Sequence, residues 1–375
     1  MEFTLDDDQR ALADTARQFL ADRAPSAYVR SIVDGDGPEA RAGITGDMWN
    51  RLVELGWVGL LVPEEHGGSG MGLLEMIVVL EAMGRLPFPG PFLSSAVLAT
   101  TAARRLGLDD RLGALAAGTT RGTVALDESG HGDVVERTRT RASRKSGSWR
   151  LTGTKAVVLD GHSADWVLVP ARTQQGIGTF VIEHPEAEPV PSLDVTRRIA
   201  RLELHGLPAE PLGPDGDHTE IWRRVADDGA VALAAELLGC MQASFELAVE
   251  YAKVRVQFDR PIATFQATKH KAAELLERIE LSRVGVHYAA WASDACDSGE
   301  VTDAVRHEAA AMAKAFAGRA ANEVTGEGIQ IHGGVGFTWE CDAHLHYRRA
   351  KADDLLLGHH GTWRQEVAES YLGAA

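Results

Sequence analysis

Apolar positions in the first part of the chain recur at helical spacing. Leu5, Leu12, Ala16, Phe19 and Leu20 fall on one stripe with Gln9 in register. Asp6, Asp7 and Asp8 stand where the positive end of a helix dipole favours acids. Leu73, Ile77, Leu80 and Met83 form a second stripe. GLLVPEEHGGSGMG, residues 59–72, joins the two as a glycine-rich connector. PFPGP, residues 87–91, makes a proline turn before another Ala/Leu stretch. From about residue 119 the pattern changes to short β-type runs: Thr123–Leu126, Trp149–Thr152, Ala156–Leu159, Trp166–Val169 and Thr179–Ile182. From about residue 223 helical spacing returns in three stripes. They are Ala234, Leu237, Met241, Phe245 and Ala248; then Phe265, Ala272, Leu276, Ile279 and Val286; then Val301, Val305, Met312, Phe316, Ala320 and Val324. The pattern predicts an α+β chain. An all-α domain covers residues 1–118, a small antiparallel β domain 119–222, and a bundle of three or four long helices 223–375.

Composition narrows the function classes. The chain of 375 residues carries 38 Lys+Arg against 54 Asp+Glu, a balance of −16. Nucleic-acid phosphates must be met by Lys and Arg, so no nucleic-acid partner is expected. Cys240, Cys296 and Cys341 lie far apart with no CxxC pair. That excludes a disulfide framework and a cysteine zinc site, and suits a reducing compartment. The start, MEFTLDDDQRALADTARQFL, is acidic and amphipathic, unlike a signal peptide. No uninterrupted apolar run reaches the ~18 residues of a membrane span. The expectation is a soluble cytoplasmic protein with no membrane partner.

Two stretches carry candidate chemistry. YAKVRVQFDRPIATFQATKH, residues 251–270, places Arg255, Gln257 and Phe258 just past a helix and before Pro261. GIQIHGGVGFTWECDAHLHYRRAK, residues 328–351, places Gln330 and the pair Gly333–Gly334 at a loop. Paired glycines let backbone N–H groups approach an anion, and arginine supplies a bidentate phosphate clamp. In this order the two stretches, with GLLVPEEHGGSG and VVLEAMGR upstream, resemble the acyl-CoA dehydrogenase family over nearly the whole chain. RVQFDRPIATFQ is similar to the family's Arg-x-x-Phe-Gly-x-x-Ile…Gln pattern, and QIHGGVGF to its Gln-x-x-Gly-Gly-x-Gly element.

The resemblance implies an N-terminal helical domain, a middle β-barrel-like domain and a C-terminal four-helix bundle. It implies FAD at a subunit interface, usually in a tetramer. The implied reaction is α,β-desaturation of an acyl-CoA thioester, with an electron-transfer flavoprotein or similar acceptor. In such enzymes one subunit faces the flavin ring and supplies a carboxylate base. A neighbour supplies the two loops to the pyrophosphate and adenosine half. On the neighbour side Arg255, Gln257, Phe258, Gln330, Gly333 and Gly334 match, with Asp259 where the family usually has glycine.

The ring-facing side is eroded. The usual Glu before a glycine falls on Leu357 in YRRAKADDLLLG, and the alternative position on an earlier helix falls on Gly229. Neither side chain takes a proton. The Thr-Glu-Pro-x-x-Gly-Ser-Asp element becomes LDESGHGD, residues 126–133, and Trp-Ile-Thr becomes Val157, Val158 and Leu159. A shifted register would offer Asp353, Asp354, Asp228 or Glu236 instead, and His359 or His360 could act in an altered enzyme. His344 and His346, two residues apart, make a poor metal chelate and read as structural; no metal is expected.

Three functions remain open. The chain is the base-less subunit of a heteromer, of the kind seen in actinobacterial members, completing the flavin site of a related catalytic subunit. Alternatively, it is a homo-oligomeric flavoenzyme with altered chemistry: an oxidase, a hydroxylase, or a desaturase of carrier-bound acyl groups. The third alternative is a flavin-free scaffold.

Overall fold

The computed structural model describes residues 5–130, 132–145 and 147–373. The first four residues of the amino-terminal stretch and His131 of LDESGHGD lie outside them. The amino-terminal helices are α1 (Asp7–Arg23), α2 (Ser26–Val33), α3 (Pro38–Ala42), α4 (Gly46–Glu54) and α5 (Leu73–Gly84). A wide π-type turn, Phe92–Ala99, leads into α6 (Thr100–Leu106) and α7 (Asp109–Ala116). Asp6 caps α1 in a reciprocal box with Gln9, so the acidic start does local work beyond its dipole.

Seven strands follow: β1 (Gly122–Val124), β2 (Arg141–Lys145), β3 (Ser148–Leu159), β4 (Trp166–Thr173), β5 (Gly176–Glu183), β6 (Glu188–Val190) and β7 (Ile199–Leu212). β4, β2, β3, β7 and β5 close on themselves through the β4–β5 pairing, which makes the barrel. Pairings are antiparallel except β1–β4 and the single β2–β4 bridge, which are parallel. The runs expected at Trp149–Thr152 and Ala156–Leu159 are one strand. Register shifts against β7 fall between Leu151 and Thr152 and between Lys155 and Val158, inside the strand rather than at its ends. β4 shows why the barrel sits where it does. Val167 and Val169 point into the barrel core, while Trp166 and Leu168 join the core shared with the helices.

The carboxy-terminal part contains α8 (Thr219–Val254), a two-strand hairpin β8 (Val256–Gln257) and β9 (Arg260–Pro261), α9 (Gln266–Asp297), α10 (Asp303–His332), α11 (Ala343–Leu355) and α12 (His360–Leu372). Val301 precedes α10, whose cap is Thr302, and Phe265 caps α9, so both fall outside the stripes expected of them. Leu276, Met312 and Phe316 are on the outer face, exposed by 42%, 37% and 42%. α8 is long and apolar enough to cross a membrane by composition, but most of that apolar stretch is buried inside the bundle.

α5 crosses α8 backbone to backbone. A Cβ at Gly84 would lie 2.0 Å from the Glu236 carbonyl oxygen, and one at Gly239 would lie 1.9 Å from that of Glu81. Only glycine fits at either position. Gly84→Ala and Gly239→Ala are expected to cost about 3 kcal/mol or more in denaturant unfolding, because a helix must move. Gly285→Ala, where the nearest atom is 4.0 Å away, should instead gain up to about 1 kcal/mol from helix propensity. Equal effects at the three sites would remove the crossing argument.

Candidate functional site

Leu357 and Gly229, distant in sequence, meet. Leu357 follows α11 with φ +55, a left-handed conformation that costs a non-glycine residue about 1 kcal/mol or more. Its N–H donates to Asp127 Oδ2 at 3.1 Å, and its carbonyl accepts from Trp363 Nε1 at 3.1 Å. Gly229 is inside α8. A Cβ there would lie 2.5 Å from Leu357 Cδ1 and 2.6 Å from Leu98 Cδ2. Two leucine tips therefore fill the space in front of the glycine.

The crevice beside them is lined by Leu98, Val124, Leu126, Asp127, Val157, Leu159, Leu356 and Leu357. Its free volume is about 10 Å³. That holds one water at most, whereas small-molecule sites run to roughly 300–1,000 Å³. Val157 and Leu159 line it, while Val158 turns into the barrel core. Asp127 is its only acid. It is buried, ion-paired to Arg137, and raised above its ordinary range by burial against the pull of Arg137. Its neighbour Glu128 pairs with the fully buried Lys155 at 2.8 Å and accepts the N–H groups of Arg139 and Thr140. Both acids of LDESGHGD in this part of the stretch are thus structural.

The other acids near the expected base are also engaged, and none lines the crevice. Arg197 Nε donates to Asp353 at 3.1 Å and its guanidinium pairs with Glu236. Burial raises Asp353 to about 6 despite Arg197 and Arg349. Asp228 accepts from Ser293 Oγ at 2.6 Å and pairs with Arg105 at 3.5 Å. Asp354 is bound to His360, His359 and Asn322. His344 stacks on Trp339, while His346 is buried with Nδ1 3.7 Å from Cys240 Sγ, so the pair does not converge.

The loop residues lie elsewhere, exposed. Arg255 ends α8, and among the described residues its guanidinium makes no ion pair. Phe258 (φ +52) and Asp259 (φ +61) form a two-residue turn of the primed type, which needs positive φ at both positions. Aspartate tolerates that conformation, which is why it can replace the expected glycine. Phe258 is 86% exposed and meets Phe265 edge-on. Gln257 is exposed in the same hairpin. Gln330 is exposed in the last turn of α10; Gly333 (φ +64) and Gly334 follow, with nothing within 4 Å of a Cβ at either. Tyr251 of α8 stacks on His332 of α10 at 4.7 Å, which holds both loops at one end of the bundle.

Separation is the decisive number. Arg255 lies 26 residues beyond Gly229 along α8, about 39 Å at 1.5 Å per residue. One dinucleotide cannot touch both ends within one chain. The open loops, with an Arg255 guanidinium that makes no ion pair among the described residues, fit the phosphate half of FAD, although the Gly333 N–H is already donated to the Gln330 and Ile329 carbonyls as the cap of α10. The crevice at Leu357 does not fit a flavin ring. Leu98, Asp127 and Trp363 hold the crevice shut. The Ala/Leu stretch around Leu98 gave no sign of this, because any leucine there reads as core.

Family models described as acyl-CoA dehydrogenase N-terminal domain and C-terminal domain match residues 6–110 and 221–372. The chain is 33% identical over 354 residues to acyl-CoA dehydrogenase IpdE2 of Mycobacterium tuberculosis, covering 94% of this chain and 93% of that one. Among solved structures it is similar to the Tcur3481-Tcur3483 steroid ACAD, with 29% identity, TM-score 0.86 and 98% of each chain covered. It is also similar to the ChsE4-ChsE5 complex from Mycobacterium tuberculosis, with 27% identity, TM-score 0.86 and 100% of each chain covered.

Two predictions follow from this geometry. Leu357→Ala should cost about 2–5 kcal/mol by opening a cavity, and Gly229→Ala should cost about 1–3 kcal/mol by collision. Together they should cost clearly less than the sum in equilibrium unfolding, because alanine at 229 refills the cavity; strict additivity would show that the two positions do not face each other. Burial, with Arg349, Arg85 and His344, holds the His346 imidazole down to about 4 against the opposing charge of Asp342. A depressed histidine leaves the unfolded state binding more protons below its ordinary value of 6.5, so stability falls as pH drops from there towards 4. Between pH 7 and pH 5 the native chain should lose about 2 kcal/mol more than His346→Gln. Parallel losses in both would contradict the burial argument.

Proposed function

The chain belongs to the acyl-CoA dehydrogenase family, and from that premise we propose that it is the flavin-completing subunit of a heteromeric acyl-CoA dehydrogenase. The observation that carries this reading is the closed crevice at Leu357 and Gly229, set beside open, intact loops about 39 Å away along α8. A homo-oligomer could offer its neighbours only this closed crevice. A flavin-free scaffold would have no use for an unpaired Arg255 beside an exposed Gly333–Gly334 backbone.

When bound, FAD would supply the hydride-accepting chemistry for desaturation of the thioester, with a carboxylate needed for the α-proton. This chain supplies neither that carboxylate nor a ring site. Arg255 would hold the FAD pyrophosphate by charge-assisted hydrogen bonds, and the side-chain-free Gly333–Gly334 turn would let the cofactor approach closely. Gln257 and Gln330 donate to the same half, and the exposed Phe258 ring covers apolar surface of the cofactor. Asp127, by fixing Leu357, keeps water and substrate out of this chain's own crevice. The partner is a related chain that carries the base, and the assembly is a heterotetramer. The substrate is a CoA thioester. A bulky, ring-containing acyl group is supported by the steroid named for the Tcur3481-Tcur3483 relative. An electron-transfer flavoprotein or similar acceptor takes up the electrons.

The test is the visible spectrum and solution mass of the chain, alone and co-expressed with a base-bearing homologue. Alone it should be colourless; the complex should be yellow. Arg255→Ala should lower flavin affinity of the complex about tenfold or more, the effect of losing a charged hydrogen-bond donor. Leu357→Ala should leave flavin content unchanged. A yellow tetramer of this chain alone with one flavin per chain, or loss of flavin on Leu357→Ala, would overturn the assignment.

A further inference from the structure

ERTRTRASRKSGSWR, residues 136–150, holds six cations, Arg137, Arg139, Arg141, Arg144, Lys145 and Arg150, and one acid, Glu136, in a chain of net charge −16. The run covers the approach to β2, β2 itself and the start of β3. Arg137 is paired with Asp127, and Glu136 with Arg223. The other five cations make no ion pair among the described residues.

Strand geometry sorts these cations by face. Thr138 and Thr140 are buried while Arg139 and Arg141 are exposed, and Ala142 packs partly against the barrel core. Side chains alternate along a strand, so Arg139, Arg141, Ser143 and Lys145 share the outer face. Arg150 stands opposite Ser143 in the β2–β3 ladder and falls on that face too, with Nη1 donating to the Gly206 carbonyl at 2.8 Å. Neither β2 nor β3 contains an acid. On β7, Glu203 is held by Arg201 and Thr154, and Glu210 lies past the last β3–β7 pair. Four cations thus share one sheet face with no acid set among them.

The backbone beside them is open. β2 meets β4 at one bridge, Arg141 opposite Arg172. From Ala142 to Lys145 the ladder runs to β3, and among the described residues no backbone group of these four residues bonds to backbone elsewhere. The side of β2 turned away from β3 is therefore a free strand edge. Arg141 and Lys145 stand about 13 Å apart along it, at 3.3 Å per residue. An extended segment laid on such an edge takes up its N–H and C=O groups, and the side chains of that segment alternate with the same period. Acids on its outer face would then meet the cations, whereas a segment of like charge would be repelled.

We propose that the β2 edge docks an extended acidic segment of a partner protein by strand addition, with Arg139, Arg141, Lys145 and Arg150 meeting its carboxylates. A lipid surface would use the cations but not the free edge, so a polypeptide is the occupant that accounts for both observations. None of these residues belongs to the flavin-completing loops or to the crevice at Leu357, so the inference goes beyond the subunit role and stands apart from it.

The probe is a fluorescein-labelled ten-residue peptide of alternating glutamate and threonine, titrated into the full chain at low salt and followed by anisotropy. The expected result is one saturable site per chain. Arg139→Glu/Lys145→Glu should weaken it about tenfold or more, the effect of reversing two exposed ion pairs, and added salt should weaken it further. Both changed side chains are exposed, so folding is not at stake. A peptide with proline in place of each threonine keeps the charge but loses alternate N–H groups, so it should bind about tenfold more weakly or not at all. No saturable binding, binding indifferent to the double variant, or equal binding of the proline peptide each overturns the proposal. Phosphatidylglycerol vesicles that displace the peptide and are released by the double variant overturn it in favour of a lipid surface. Failure of the subunit reading would show in the flavin spectrum of the chain alone and leave the peptide result standing.

Discussion

A buried charge network holds the domains in register, and the closed crevice depends on it. Arg349 of α11 donates to Asp194 Oδ2 at 2.6 Å, to Thr196 Oγ1 and to the Phe88 carbonyl, and both charged side chains are fully buried. Arg197, from the segment between β6 and β7, reaches Asp353 of α11 and Glu236 of α8. Taking such charges out of water costs several kcal/mol per ion, and the pairs stand only because each finds partners of good geometry. Stranding one of them costs about 3–5 kcal/mol. The network leaves little freedom in how α11 sits on α8, and the end of α11 carries Leu357.

That constraint also engages the acids close to the expected base position. Glu236 and Asp353 lie one or two turns from it in sequence, yet both face guanidiniums. Two cations meet three carboxylates there, and the surplus shows in Asp353, which burial raises to about 6. Asp127 is the acid nearest to Leu357, and it is committed to the Leu357 N–H and to Arg137. The strained backbone at Leu357 persists because Asp127 on one side and Trp363 on the other hold its N–H and carbonyl.

α8 links the closed end to the open one. Its glycines let α5 approach at Gly239 and admit the leucine tips at Gly229, and its last turn presents Arg255. A helix of 36 residues is about 54 Å long, so the two ends of α8 are too far apart to act on one small group within one chain.

The sequence by itself determined the three-part order of helix, strand and helix, because hydrophobic period is a local property of the chain. It also singled out both candidate halves of the site. Arg255, Gln330 and Gly333–Gly334 were legible because loop chemistry depends on residue type and spacing, and Leu357 and Gly229 because flanking glycines mark their positions. It did not reveal the bulges that merge two expected runs into β3, since a glycine in a strand and a glycine ending one look alike in sequence. Nor did it reveal that Met312 and Phe316 face outward, because a helical stripe does not say which neighbour covers it. Only the tertiary structure decided that Leu357, Gly229 and Leu98 meet, that Asp127 clamps the loop, and that His359 is a helix cap. Each depends on side chains brought together from distant parts of the chain, where steric fit and hydrogen-bond partners, not residue identity, choose the outcome.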